Sequence, residues 1–259
     1  MCYLQEKVNL LTEEINLCAI IPVYNHNDKL DYLINILSNL NLAIIMIDDG
    51  SNEDCHQTME RLSKENSNVR VHTHSANFGK GAAIKTGIIL AQKAGFTHAL
   101  QIDADAQHDL NDIPVFIASM KKYPNALITG YPIYDKTIPK YRYYCRYATH
   151  IWVWINTLSM SIKDSMCGFR IYPVQQSWQL LNEGRSGNRM EYDPEFIVRW
   201  YWAEKPLIQI QTKVTYPEDG VSHFRLINDN CLIFWMHVRL SFGMLLRLPR
   251  LLSNRFRKL

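Results

Sequence analysis

The sequence predicts an α/β fold, a mostly parallel sheet flanked by helices, on three observations. Short apolar runs bounded by polar turns recur through the first 130 residues, and segments with helical spacing separate them. Several runs are apolar throughout rather than alternating, as strands covered on both faces are. Acidic residues cluster where two of the runs end, and ligands of open α/β sheets bind outside the carboxyl ends of strands.

Taken in order, "LCAIIPV" reads as a buried strand, and residues 28–40 as a helix carrying Leu30, Leu33, Ile34, Leu37 and Leu40. "AIIMI" is a second buried strand, ending in Asp48, Asp49, Gly50 and Ser51. A polar helix, the strand "VRVHT" and a glycine-opened helix from about Lys80 to Ala94 follow. "HALQI" makes a fourth strand, 112–122 a helix and "ALITG" a fifth strand. Beyond Tyr131 the pattern predicts an aromatic helix over 141–160, and a turn into a short strand at "DSMCGFRIY". A helix at "MEYDPEFIVRWYWAEKP" and an exposed strand at "LIQIQTKVTY" complete the body. The expected division is residues 1–225, with a donor half over about 17–130 and an acceptor half over about 131–225, followed by a helical tail at 226–259.

The 259 residues suffice for one large domain with a full core. The net charge is +3, but the tail from Leu226 carries six basic residues against Asp229, which leaves the body at −2. Six scattered cysteines without metal-like spacing point to a reducing compartment. The first residues lack the apolar core of a signal peptide, and no run approaches the roughly 20 apolar residues of a membrane span. A cytoplasmic protein is therefore expected, with no nucleic-acid partner.

The strand tip "DADAQH" sets the chemistry. Residues i and i+2 on an extended segment point the same way, so Asp103 and Asp105 can converge on one cation. Carboxylates with an amide such as Gln107 suit Mg²⁺ or Mn²⁺. A calcium loop starting at Asp103 fails, since its sixth position is His108 and its twelfth Pro114. A helix cap at Asp112 would need only one acid. The dinucleotide fingerprint fails because "PVYNHND" follows the first strand without a glycine. The phosphate-binding P-loop fails at "NFGKGAAIKTG", although Gly79 and Gly81 still permit close backbone approach and Lys80 can face a phosphate or merely sit in a tight turn.

Six motifs, "IIPVYN", "IDDGS", "NFGKGAAIKTG", "DADAQH", "DSMCGFR" and "EYDPEF", occur in this order over about residues 17–225. Together they resemble glycosyltransferase family 2, in particular the branch similar to dolichyl-phosphate mannose synthases. The resemblance implies a GT-A (Rossmann-like) fold, a nucleotide-diphosphate sugar donor, a divalent metal and inversion at the anomeric carbon. It places Pro22, Tyr24 and Asn25 around base and ribose, Asp49 as acceptor from the base, Asp103 near ribose and metal, and Asp105 and Gln107 in the metal site. Ala106 stands where many relatives have Gly or Leu. Arg170 and Arg225 fall where relatives present basic residues to phosphates, and His223 is a further metal or diphosphate contact.

A hydroxyl acceptor would need a general base. Glu195 is the first choice, ahead of Asp193, which with Pro194 also reads as a helix start; Asp164 is second. A phosphate acceptor would need little or no base. A non-catalytic sugar-nucleotide-binding or scaffolding protein at a membrane is the alternative reading; a nucleotidyltransferase would want a glycine- and arginine-rich loop after strand one. In the tail, Arg239, Gly243, Arg247, Arg250, Asn254 and Arg257 recur as a narrow polar stripe on an apolar helix, with Pro249 dividing it. That pattern suggests a helix lying on an anionic membrane surface, beside a lipid-linked or polyprenyl-phosphate acceptor on the cytoplasmic face. The other possibility is that this face packs on the catalytic domain or on a second subunit.

Overall fold

The computed structural model describes residues 15–134, 140–215 and 225–256. The chain runs β1 (Leu17–Val23), α1 (Leu30–Asn39), β2 (Ala43–Asp48), α2 (Glu53–Glu65), β3 (Val69–Thr73), α3 (Lys80–Lys93) and β4 (His98–Gln101). A short 3₁₀ turn, Leu110–Asp112, leads into α4 (Ile113–Lys122), then β5 (Leu127–Tyr134) and α5 (Lys140–Thr157). β6 (Arg170–Pro173), α6 (Val174–Asn182), α7 (Tyr192–Trp202), β7 (Leu207–Val214) and α8 (Leu226–Phe256) complete it. The sequence reading did not include α6, whose "VQQSWQLLN" carries few apolar residues.

The seven strands lie in the order β3-β2-β1-β4-β6-β5-β7. The first four are parallel, and β5 pairs parallel with β7. β6 is antiparallel to both its neighbours, β4 and β5, with Gln101 opposite Arg170. This is the GT-A arrangement. Reversing β6 brings the loop before it, 164–169, to the same rim as the tip of β4. Alternate residues of β1 serve the two faces. Cys18 and Ile20 pack with Ala83, Ile84 and Ile88 of α3, whereas Ala19 and Ile21 pack with Leu33 of α1 and Phe116 of α4.

The tail helix is part of this body. Ile233, Met236, Leu240, Met244 and Leu251 of α8 are buried in the same core as α5 and α7. Trp202 Nε1 donates to the Asn156 carbonyl (2.9 Å), and Ser241 Oγ to Asn156 Oδ1 (2.9 Å). At about 1.5–3 kcal/mol per buried apolar side chain, those five residues hold the helix firmly on the domain. Pro249 lies inside α8 without dividing it. Residues 227–253 also form one helix of mean hydropathy 1.4, long and apolar enough to cross a membrane by length and composition. The sequence count of uninterrupted apolar runs had understated it.

The arginines of the stripe lie at the flank of the helix, partly exposed, and make contacts within the protein. Arg239 donates to Glu195, the Arg247 guanidinium lies 4.7 Å over the Trp202 ring, and Arg250 pairs with Glu204. The outward face is apolar instead: Phe234, Trp235, Phe242, Leu245 and Leu246 are all exposed, Leu246 at 84%. Arg257 and Lys258, and the side chains of Asn254 and Arg255, lie outside the described residues.

Candidate active site

Loops from the carboxyl ends of β1 to β4 meet at one rim. The Asp49 N–H donates to the Val23 carbonyl (2.8 Å), joining the ends of β1 and β2. Asn25 takes a left-handed conformation (φ 51°), which asparagine tolerates. Its N–H donates to Ser51 Oγ (3.1 Å), and its Oδ1 accepts from the Asn52 N–H (2.7 Å). Asn25 is thus a clamp between two loops, beside the partly exposed Pro22 and Tyr24.

Both acids of "IDDGS" build backbone. Asp48 accepts from the Ser51 N–H (2.8 Å) and meets His56 Nδ1 (2.9 Å). Asp49 is 2% exposed and accepts from the N–H groups of Phe78 (3.0 Å) and Gly79 (2.7 Å), while meeting His74 Nδ1 (2.8 Å). Three of its roughly four lone-pair sites are therefore taken by the protein. The carboxylate shapes the glycine turn that opens α3.

Next to that turn, Lys80 Nζ lies 2.7 Å from Asp103 Oδ2 and 3.4 Å from Asp193 Oδ2. Burial opposes the Lys80 charge, but Asp103 and Asp193 hold its pKa above the ordinary value. Burial likewise opposes ionisation of Asp103, and Lys80 overrides it, pulling the carboxyl below its usual range. Gln101 Nε2 adds a contact to Asp103 Oδ1 (3.3 Å) and is itself fixed by the Tyr172 hydroxyl (2.7 Å). Gly168 lies against this pair: a Cβ there would sit 2.5 Å from Asp103 Oδ2 and 2.8 Å from Lys80 Nζ. Nothing in one sequence marked Gly168 as part of the site.

Asp105 differs from its neighbour. It accepts the Gln107 N–H (3.1 Å) across a tight turn in which Ala106 is left-handed (φ 52°). Burial and then the nearby Asp103 push its carboxyl up to about 6. An acid so poorly neutralised suits a cation. Among the described residues no three His, Cys, Asp or Glu side chains converge as a metal cage. Asp103 and Asp105 feel each other's charge, with Gln107 in the same turn, and oxygen groups of this kind are the ones that suit Mg²⁺ or Mn²⁺. His108 stacks on Phe169 (centroids 5.4 Å apart), and burial pushes its pKa down to about 4, so it is neutral. His223 lies outside the described residues, and Arg225 is exposed at the start of α8.

Three expected roles are corrected by burial and bonding. Glu195, first choice as base, is 1% exposed; its Oε2 accepts from the Gly187 N–H (2.7 Å) and from Arg239 Nη2 (2.8 Å). Asp164 is held by a bidentate contact with Arg146 (2.7 Å to each oxygen) and by His150 (3.2 Å), and it also accepts from the Met166 and Cys167 N–H groups. Burial works against that carboxylate, but Arg146 holds it well below the usual range, so it is a weak base. Arg170, expected at phosphates, is wholly buried and donates to the carbonyls of Cys167, Ser165 and Asp193. Asp193 stays near the site but faces Lys80 and Arg170, in the first turn of α7 rather than at its cap.

Asp164→Asn should cost stability, about 3–5 kcal/mol as for a broken buried pair, because Arg146 loses its counter-charge. Its folded pKa is depressed, so its contribution is present above about pH 4 and lost as pH falls below that. Chemical denaturation at pH 7 checks the first point; an unchanged midpoint would show that the pair stabilises nothing.

Comparison with known proteins agrees with the geometry. The family model described as Glycosyl transferase family 2 matches residues 18–178. A dolichyl-phosphate beta-glucosyltransferase of Trichomonas vaginalis is 24% identical over 201 residues, 71% of this chain and 61% of that protein's length. The UDP-N-acetylglucosamine–dolichyl-phosphate N-acetylglucosaminyltransferase of Methanococcus voltae is 25% identical over 243 residues, 88% of this chain and 96% of the other. Among solved structures, the glucosyl-3-phosphoglycerate synthase of Mycobacterium tuberculosis, in complex with Mn²⁺, UDP-glucose and phosphoglyceric acid, superposes with a TM-score of 0.65 at 11% identity, covering 87% of this chain and 79% of that one.

Proposed function

The chain belongs to glycosyl transferase family 2, and from that premise we propose that this glycosyltransferase moves a sugar from a nucleotide-diphosphate donor to a polyprenyl phosphate. The observation that carries the reading is the state of the possible bases: Glu195 and Asp164 are buried and bonded, and Asp193 is engaged with Lys80. Among these three candidates, an alcohol acceptor would find no free carboxylate for its proton. A phosphate monoester is already ionised near neutral pH and needs none. The dolichyl-phosphate relatives support the same acceptor class.

In the reaction an acceptor phosphate oxygen forms the bond to the anomeric carbon as the bond to the donor phosphate breaks. The electron pair leaves on the nucleoside diphosphate, no proton is removed, and a single displacement inverts the carbon. Asp103, Asp105 and Gln107 would hold Mg²⁺ or Mn²⁺, which when bound supplies Lewis-acid neutralisation of the departing diphosphate. Lys80 locks Asp103 in its ionised form, and Asp49 fixes the glycine turn alongside. Metal-dependent release of free nucleoside diphosphate from a panel of sugar nucleotides tests the reading. It should appear with polyprenyl phosphate and not with polyprenol. Release with polyprenol alone would restore a base-dependent mechanism, and no release with either acceptor would favour a non-catalytic binding protein.

A lipid acceptor places the enzyme on a membrane, and the outward face of α8 is the docking element in this reading. Among the described residues Cys18, Cys55, Cys167 and Cys231 are free thiols, which suits the cytoplasmic face. Arg239, Arg247 and Arg250 each make a contact within the protein, so vesicle binding should rest in part on the apolar face and persist in part at high salt. Trp235→Ser with Leu246→Ser should weaken flotation with mixed neutral and anionic vesicles at least tenfold, given about 1.5–3 kcal/mol per apolar side chain. Equal flotation of the variant would exclude this face.

A further inference from the structure

The segment between α6 and α7 is laid across the glycine turn. The Ala82 N–H donates to the Asn188 carbonyl (2.8 Å), and Lys85 Nζ reaches Asn188 Oδ1 (2.5 Å) and the Ser186 carbonyl (3.2 Å). Arg189 grips Asn77 through its side-chain oxygen (2.9 Å) and its carbonyl (3.3 Å). The fit leaves no slack. A Cβ on Gly79 would lie 2.5 Å from Arg189 Cγ, and one on Gly81 would run into Tyr192. This strap therefore presses on the turn whose next residue, Lys80, holds Asp103.

The strap is in turn held by Glu195. One oxygen of that buried carboxylate takes both the Gly187 N–H of the strap and the guanidinium of Arg239, 44 residues away on α8. Arg239 is half exposed, its side chain 54% accessible against 2% for Glu195. Lys85 lies near enough to feel the Glu195 charge, but its hydrogen bonds go to the strap. Among the described residues Arg239 is the cation within ion-pair distance of Glu195, with Arg199 and Lys85 farther off, so without it the carboxylate would lose that partner and the Gly187 anchor would share the cost.

We propose that Arg239 and Glu195 are a positioning pair, through which the seating of α8 sets the strap on the donor turn and hence the affinity for the donor. The functional half rests on reading the rim as the donor site. Amide hydrogen exchange over residues 186–191, measured on the full chain, tests the coupling without any ligand. Arg239→Gln should speed exchange there about tenfold, the loss expected for one charge-assisted hydrogen bond. It should also weaken binding of UDP with Mn²⁺ severalfold, and raise the donor KM more than it lowers kcat. Arg239→Lys should recover part of both effects. Arg250→Gln, which breaks an exposed pair on the same helix, should leave strap and UDP binding unchanged.

Unchanged exchange in Arg239→Gln, or the same acceleration in Arg250→Gln, would overturn the coupling. Faster exchange with unaltered UDP affinity would equally reject it, because the strap would then not act on the donor turn. If the wild-type protein bound neither UDP nor another nucleoside diphosphate, the donor reading would fall, and exchange alone would still decide whether Arg239 anchors the strap.

Discussion

Asp105→Ala should lower sugar transfer at least a thousandfold, about 4 kcal/mol of barrier, while leaving the fold intact. The two consequences have separate causes. Asp105 accepts the Gln107 N–H, and it faces the like charge of Asp103. Its removal therefore relieves repulsion, and the melting temperature should hold or rise. Transfer, by contrast, loses the acid best suited to a dication, and metal stabilisation of a departing diphosphate is worth several kcal/mol. Steady-state transfer and a thermal melt on the same sample check both. A folded variant within tenfold of wild-type activity would remove Asp105 from the metal set.

The second large effect is expected of Gly168→Ala, about a hundredfold in transfer with little loss of stability. Its Cβ would fall 2.5 Å from Asp103 Oδ2 and 2.8 Å from Lys80 Nζ, closer than carbon and oxygen approach in practice. Both obstructing atoms end flexible side chains, so the backbone need not move. They would shift by several tenths of an ångström to about 1 Å, and displacement on that scale costs about a hundredfold where geometry sets the rate. Unfolding of the variant, or near-normal transfer, would each contradict this placement.

The first four strands and their helices were legible because parallel strands buried on both faces are written as plain apolar runs. Asp103 and Asp105 could be singled out because two aspartates at i and i+2 after such a run have few structural uses. What could not be read was partnership at long range. Glu195 looked like a free acid on a helix start, and only the fold shows that Arg239 and Gly187 occupy it. Asp164 looked available until α5 brought Arg146 and His150 to it. The arginine stripe of α8 followed the same logic: periodicity placed its members on one face, but could not say whether that face meets lipid or Trp202 and Glu204. The resemblance to family 2 correctly supplied the fold, yet its basic residue at Arg170 proved to be a buried brace.

The reversed strand β6 bears on how the enzyme is made. Tyr172 and its partner Gln101 are 71 residues apart, and β6 must slide between β4 and β5 after both exist. At about 5–20 residues per second, a ribosome leaves the edge of β4 unpaired for roughly 4–14 s. During that interval the N-terminal half can pair its four parallel strands, but it offers an apolar open edge to any neighbouring chain. Slow synthesis or a stall between residues 102 and 170 should therefore raise aggregation of the nascent protein, and holding chaperones should matter most in that window.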